Sequence, residues 1–228
     1  MSPRTAVLTA ENLVAGYGGH AVCGPLDVEV FPGQVLGMVG ENGAGKSTLL
    51  RTMIGAQAAV DGDSHVLGLL PDDRSALFRR RVSVLLDEDA YFDSLTVREH
   101  LSLVARGHGL ANPDKAVEGE IDFFELHPVA DAFPDQLSSG QRRKLLLASA
   151  FIRPFELLVL DEPEQRLDTR MRGLLAQRIA RTAKAGAAVV LVTHDADVAR
   201  ASCTAAVIVD DGGARVVDTD AAVARIRQ

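Results

Sequence analysis

The feature that most constrains this chain is a glycine-rich loop between an apolar run and a segment with helical spacing. Residues 35–39 form a continuous apolar run, which is typical of a strand buried on both faces. The loop at residues 40–47, Gly-Glu-Asn-Gly-Ala-Gly-Lys-Ser, fits the pattern G-x-x-x-x-G-K-[ST], and residues 46–54 are predicted to be helical. This order predicts a phosphate-binding loop, because glycines let backbone N–H groups surround an anion at the positive end of a helix.

The polar residues of this loop suit a nucleotide polyphosphate and its metal ion. In such loops the lysine, here Lys46, neutralises the β- and γ-phosphates, and the hydroxyl of Ser47 ligates Mg²⁺. The residues expected to surround the nucleotide are Gly40, Glu41, Asn42, Gly43, Ala44, Gly45, Lys46, Ser47 and Thr48. The structural alternative is a glycine-rich turn that joins a strand to a helix and binds nothing.

A second motif is an apolar strand that ends in two acids. Residues 157–160 are predicted to be a buried strand, and Asp161 and Glu162 follow it. An acid at the carboxyl end of a strand can hold Mg²⁺ beside the phosphates. The second acid can orient an attacking water or accept its proton. The structural alternative is a strand whose terminal acid caps the next element.

The rest of the chain predicts an α/β fold with a mostly parallel sheet. The chain has 228 residues, 47% of them hydrophobic, so one core can bury roughly 70–75% of the unfolded surface. Strands and helices alternate in the last third, which favours a parallel sheet covered on both faces. Predicted strands span residues 8–14, 26–30, 63–67, 82–86 and 187–192, with a hairpin over 207–217. Predicted helices span residues 96–129, 138–152, 169–184 and 195–201.

Charge and hydropathy exclude several functional classes. The net charge of -7 argues against a protein that coats nucleic acid, because such binding depends on phosphate neutralisation by Lys and Arg. No window approaches the roughly 18 apolar residues of a membrane-spanning helix. The two cysteines, Cys23 and Cys203, lie far apart and have no metal-ligand spacing. A cytoplasmic protein is therefore expected.

A third motif points to a family. Residues 137–141 read Leu-Ser-Ser-Gly-Gln, and with the two motifs above the chain resembles the ATP-binding cassette (ABC) ATPases, whose signature is L-S-G-G-Q. The resemblance covers nearly the whole chain and keeps the family's order of motifs. It implies ATP and Mg²⁺ as ligands, with each nucleotide held between one subunit's phosphate loop and the other subunit's signature. The signature residues that it implies at the nucleotide are Ser138, Ser139, Gly140 and Gln141.

The same resemblance implies roles for single residues. Tyr17 would stack on adenine, Asp161 would associate with the metal, and Glu162 would be the catalytic base. Asp168 would be the acid of the D-loop (residues 164–168), and His194 would sense the γ-phosphate, so that Glu162, His194 and Lys46 form the catalytic set. Alternatives stay open: Tyr17 as a packed aromatic, His194 as a cap of the following helix, and Ser138 as a helix N-cap. The basic runs 79–81 and 142–144 are expected to be solvated faces.

The chain departs from the family pattern at three places. Ser139 replaces the first signature glycine, and its small size should preserve the anion contact. Asp87 stands where a metal-touching glutamine is usual, and it either replaces that glutamine or marks a shifted or dispensable loop. The D-loop carries bulky polar residues where small ones are common.

These observations predict an ABC nucleotide-binding domain with a mostly parallel core sheet, an N-terminal antiparallel β subdomain and a helical subdomain. We expect one domain over 1–228, with residues 1–92 and 156–228 in the ATP-binding core and residues 93–155 in the helical subdomain. The predicted function is the ATPase subunit of an ABC transporter, a head-to-tail homodimer or heterodimer at the inner face of the membrane that powers a separate transmembrane permease. The alternatives are a soluble ABC ATPase, such as an iron–sulfur assembly type, and a regulatory nucleotide-binding module with little turnover.

Overall fold

The computed structural model describes residues 5–72, 74–86, 90–211 and 213–228, and all statements below concern those residues. Asp87, the predicted metal contact in place of glutamine, lies outside them. Within these ranges no helix is both long and apolar enough to cross a membrane.

The N-terminal third forms a three-stranded antiparallel sheet. Its strands are β1 (Leu8–Tyr17), β2 (His20–Val30) and β4 (Asp61–Val66), in the order β2-β1-β4. Apolar side chains alternate along β1 and β2, so that one face of this sheet is buried. That face packs against the helix that follows the glycine-rich loop.

The second sheet includes the strand that leads into the glycine-rich loop. Its six strands have the order β5-β6-β7-β3-β8-β9, and the five from β5 to β8 are parallel while β9 is antiparallel to β8. The strands β6 and β7 are buried at every residue, as expected for a parallel sheet covered on both faces. Their bounds are β3 (Val35–Gly40), β5 (Val82–Leu85), β6 (Leu157–Asp161), β7 (Ala188–Val192), β8 (Ala205–Asp210) and β9 (Gly213–Val217).

Eight α-helices surround this sheet in the described ranges. They are α1 (Lys46–Met53), α2 (Ala76–Arg81), α3 (Val97–Gly107), α4 (Pro113–Phe123), α5 (Ser139–Ile152), α6 (Thr169–Lys184), α7 (Ala196–Ser202) and α8 (Thr219–Ile226). One apolar cluster joins one face of the sheet to α3, α4, α5 and α6, and a second lies between the two sheets and includes α1. The predicted α/β architecture, with a mostly parallel sheet and an antiparallel N-terminal sheet, is confirmed.

Three features differ from the sequence prediction. The helical stretch predicted at 96–129 is divided into α3, α4 and a short 3-10 helix at His127–Val129. The helices α2 and α8 were not predicted. The strand β2 begins at His20, six residues before the predicted start at residue 26, because its pairing with β1 continues to the turn after Tyr17.

Candidate active site

The glycine-rich loop, defined here as the phosphate loop at residues 40–48, joins the end of β3 to the start of α1. Gly40 has a φ of 155°, and a Cβ atom at this position would lie 2.0 Å from the carbonyl oxygen of Val209 on the neighbouring strand β8. Gly45 has a φ of 94° at the N-cap of α1, with Val22 and Cys23 of β2 packed against it. Both positions therefore require glycine for steric reasons.

Lys46 lies inside the loop. Its residue surface is only 5% exposed, and its Nζ donates hydrogen bonds to the carbonyl oxygens of Gly40 at 3.0 Å and Glu41 at 2.8 Å. Burial lowers the pKa of Lys46, and the charges of Glu162 and Asp161 oppose that shift. The ammonium group is thus held at the centre of the loop by backbone carbonyls that a polyphosphate would displace.

The phosphate loop meets the end of β6 through Ser47 and Asp161. Asp161 is 1% exposed, and its Oδ1 accepts a hydrogen bond from the Ser47 Oγ at 3.2 Å across 114 positions of sequence. A hydroxyl and a carboxylate are oxygen ligands of the kind that Mg²⁺ binds, together with substrate phosphates. The donor set present here therefore fits Mg²⁺.

Glu162 and His194 face each other beyond Asp161. Glu162 has a φ of 46°, in the left-handed region, and its N–H donates to the Val192 carbonyl of β7 at 2.9 Å. The His194 Nδ1 lies 3.5 Å from the Glu162 Oε1, and the two side chains are 50% and 18% exposed. The Oδ1 of Asp195 caps α7, so His194 is not the cap and its ring remains exposed beside the carboxylate.

Tyr17 lies at the end of β1, next to α1. Its hydroxyl is 3.3 Å from the Thr48 Oγ1, and the residue is 60% exposed. A packed core aromatic would be buried, so that alternative is wrong. The exposed ring beside the phosphate loop is compatible with stacking on a base.

The signature segment lies at the start of α5. The Ser138 Oγ accepts from the Gln141 N–H at 3.2 Å, and the Gln141 Oε1 accepts from the Ser138 N–H at 2.8 Å, which forms a capping box. A Cβ atom on Gly140 would lie 2.8 Å from the carbonyl oxygen of Arg166, so glycine permits α5 to approach the D-loop. Among the residues that the structure describes, no hydrogen bond joins residues 138–141 to the phosphate loop.

The D-loop acid Asp168 is the N-cap of α6. Its Oδ1 accepts from the Met171 N–H at 2.8 Å, and this hydrogen bond lowers the pKa of the Asp168 carboxyl. The structure thus brings Lys46, Ser47, Asp161, Glu162 and His194 to one place. It leaves the signature residues and Asp168 at the helix starts, outside that cluster.

The prediction that residues 142–144 form a solvated face is wrong. Arg143 is 4% exposed, and its Nη2 donates to the carbonyl oxygens of Asp161 at 2.7 Å and Glu162 at 2.8 Å. Arg142 donates to two backbone carbonyls, and Lys144 pairs with Glu125. The reason is that α5 packs directly against the turn after β6, where buried carbonyl oxygens require donors. The run at 79–81 is exposed, as expected.

Sequence reasoning also missed a contact at the start of the phosphate loop. Arg225 of α8 pairs with Glu41, Nη2 to Oε1, at 2.7 Å. The contact spans 184 positions and depends on a helix that was not predicted. No local sequence signal could have found it.

Comparisons with known proteins agree with this geometry. The family model described as ABC transporter matches residues 23–165. The chain is 36% identical to Nod factor export ATP-binding protein I of Cupriavidus metallidurans, over 91% of this chain and 69% of that protein. It is 32% identical to the protein of the same name from Cupriavidus pinatubonensis, over 91% of this chain and 65% of that protein. The chain thus spans about two thirds of the length of these relatives.

Two solved structures have a fold similar to that of this chain. A structure described as the ATP-binding subunit of an ABC transporter superposes with a TM-score of 0.85 at 27% identity, covering 94% of this chain and 91% of that chain. A dimeric ATP-binding cassette in a post-hydrolysis state, bound to ADP and Pi, has the same fold, with a TM-score of 0.79 at 21% identity over 93% and 98% of the two chains. The chain belongs to the ABC transporter family.

Proposed function

We propose that this chain hydrolyses ATP at the edge of the sheet where β3, β6 and β7 end. The single observation that carries the proposal is the convergence of three sequence segments at that edge. Lys46 and Ser47 follow β3, Asp161 and Glu162 end β6, and His194 follows β7. These strands are parallel neighbours in the order β6-β7-β3, so their carboxyl ends meet, as ligand sites of such sheets do.

In this proposal the phosphate loop binds the polyphosphate of ATP. The loop N–H groups and the ammonium of Lys46 neutralise the β- and γ-phosphates. Ser47 and Asp161 would hold Mg²⁺, which supplies charge neutralisation to the phosphates when it is bound. Tyr17 would stack on the adenine.

Glu162 is proposed to act as the general base. Its carboxylate takes a proton from a water molecule whose oxygen forms a bond to the γ-phosphorus, while the bond from that phosphorus to the β-phosphate bridging oxygen breaks. ADP and phosphate are the products. His194, beside Glu162, would donate a hydrogen bond to the γ-phosphate.

We further propose that two cassettes act as a head-to-tail dimer. In the described residues the signature makes no hydrogen bond to its own phosphate loop, and its capped helix start leaves N–H groups available for an anion from another subunit. The dimeric neighbour structure shares this fold. Residues 93–155, with α3, α4 and α5, would be the subdomain that carries the signature and transmits motion.

The proposed partner is a separate transmembrane permease, with the cassette at the inner face of the membrane. The relatives carry the words Nod factor export in their names, which supports export as the direction of transport. The substrate would be chosen by the permease. Recovery of a membrane protein with the tagged chain from detergent-solubilised membranes would support this partner, and recovery of the chain alone from the soluble fraction would contradict it.

The ATPase proposal is tested by phosphate release at saturating MgATP. We expect the wild type to turn over, Glu162→Gln to bind ATP with little or no steady-state hydrolysis, and Glu29→Gln, an exposed control on β2, to retain wild-type activity. A wild type without hydrolysis would contradict the proposed function. An active Glu162→Gln variant would remove Glu162 from its role while leaving ATP hydrolysis itself in place.

A further inference from the structure

The D-loop of this chain carries a buried acid that the proposed chemistry does not use. Glu164 is 1% exposed, although it lies two residues after Glu162 in a segment where the family usually has small side chains. Its Oε1 accepts hydrogen bonds from the hydroxyl of Thr193 and from the His194 backbone N–H, the latter at 3.2 Å. Its Oε2 is buried and has no hydrogen-bond partner among the described residues. Burial of a carboxyl group costs free energy unless hydrogen bonds compensate for its lost hydration.

The partners of Glu164 form a continuous chain at the end of β7. Thr193 is fully buried, and its hydroxyl, which donates to Glu164, also accepts from the Asp195 N–H at 3.1 Å. Glu164 therefore holds the backbone of residues 193–195 on both sides of His194. That backbone determines where the His194 ring lies relative to Glu162, 3.5 Å away.

The next residue in the D-loop, Gln165, contacts the other proposed catalytic residue, Glu162. The Nε2 of Gln165 donates a hydrogen bond to the Glu162 Oε2, while the Glu162 Oε1 faces His194. Adjacent D-loop side chains thus contact the two proposed catalytic elements separately. Small D-loop side chains could make neither contact.

We propose that Glu164 is a positioning residue that sets the His194 backbone, and with it the His194 ring, against Glu162 for ATP hydrolysis. This inference rests on the proposed function. Glu164 touches neither the nucleotide nor the reacting atoms in this account. Its effect is therefore on kcat and not on nucleotide affinity.

The test compares Glu164→Ala with Glu164→Gln in steady-state hydrolysis and in titrations with a fluorescent ATP analogue. Glu164→Ala should lower kcat about tenfold, the factor that corresponds to one lost hydrogen bond, with the Kd for nucleotide within about twofold of wild type. Glu164→Gln keeps a carbonyl oxygen that accepts from Thr193 and His194. Most of the kcat should therefore be retained in that variant.

A matched control is Glu120→Ala. Glu120 is another buried glutamate whose Oε2 has no hydrogen-bond partner within the described part of the chain, and it pairs with Arg178 between α4 and α6. Its truncation should lower the melting temperature and leave kcat per folded molecule unchanged. If Glu164→Ala does not fold, Thr193→Val and Thr193→Ser replace it: valine should lower kcat, whereas serine, which keeps the hydroxyl, should not.

Epistasis with His194 separates positioning from a general structural role. In a His194→Ala background, Glu164→Ala should cause no further loss of single-turnover rate, because its effect acts through His194. An equal loss in both backgrounds, or a wild-type kcat in Glu164→Ala, would overturn the inference while the ATPase function stands. A wild type that hydrolyses no ATP would instead refute the proposed function, and this inference with it.

Discussion

Replacement of Arg143 by methionine should destabilise the fold and slow hydrolysis together. The guanidinium lies at 4% exposure beneath the turn that carries Glu162, and it donates to two carbonyl oxygens at 2.7 and 2.8 Å. A third contact reaches the Pro163 carbonyl oxygen at 3.4 Å. Glu162 occupies the left-handed region at this turn, a conformation that surrounding contacts must hold in place.

The magnitude follows from the two short hydrogen bonds. A hydrogen bond from a charged group is worth about 1.5–3 kcal/mol, so loss of these two should lower the free energy of unfolding by about 4 kcal/mol. For a domain of this size that change lowers the melting temperature by about 8–16 °C. Arg143→Lys keeps the charge but loses the planar guanidinium. Its melting temperature should therefore lie between those of Arg143→Met and the wild type.

The assay is thermal and urea unfolding of wild type, Arg143→Lys and Arg143→Met, with phosphate release measured well below each melting temperature. Arg170→Met is the control, because Arg170 is 70% exposed and pairs with Glu125 at the surface. An Arg143→Met variant with wild-type stability and kcat would refute the reasoning that this guanidinium holds the Glu162 turn.

Three further predictions concern stability. Phe124→Ala should cost about 3–5 kcal/mol in urea unfolding because Phe124 is fully buried in the core, whereas Phe133→Ala, 42% exposed, should cost less than about 1 kcal/mol. Gly40→Ala should give little soluble protein, because its Cβ would meet the Val209 oxygen at 2.0 Å; wild-type yield would contradict this. Burial raises the pKa of the Cys203 thiol from 9.0 to about 11, so the fold favours the neutral thiol. The free energy of unfolding should fall as pH rises from about 9 through about 11, and Cys203→Ser should reduce that fall over the same pH range.

Local sequence rules were sufficient where a residue's neighbours in the chain determine its conformation. The helix α6 begins and ends where the sequence predicts, because Asp168 supplies the N-cap and apolar residues recur with helical spacing. The strand, glycine loop and helix around Lys46 follow from the same kind of rule. The position of Asp161 and Glu162 directly after a buried strand was likewise enough to predict that they lie at the site.

Contacts between distant segments were not available to that reasoning. A run of basic residues usually lies in solvent, yet Arg143 is buried because the turn at 161–163 presents carbonyl oxygens to α5. The burial of Glu164 depends on Thr193, which is 29 positions away. The local sequence around Arg143 and Glu164 does not distinguish them from ordinary surface residues. Their burial and their contacts could therefore be seen only in the tertiary structure.

The most direct test of the account is calorimetric titration of the chain with a nonhydrolysable ATP analogue and Mg²⁺. The wild type should bind one nucleotide per chain, and Lys46→Ala should bind about 10- to 100-fold more weakly, as expected for loss of charge-assisted contacts to phosphate. Lys184→Ala, exposed at the end of α6, should bind as the wild type does. Equal affinity of Lys46→Ala and wild type would show that the nucleotide does not bind at this loop.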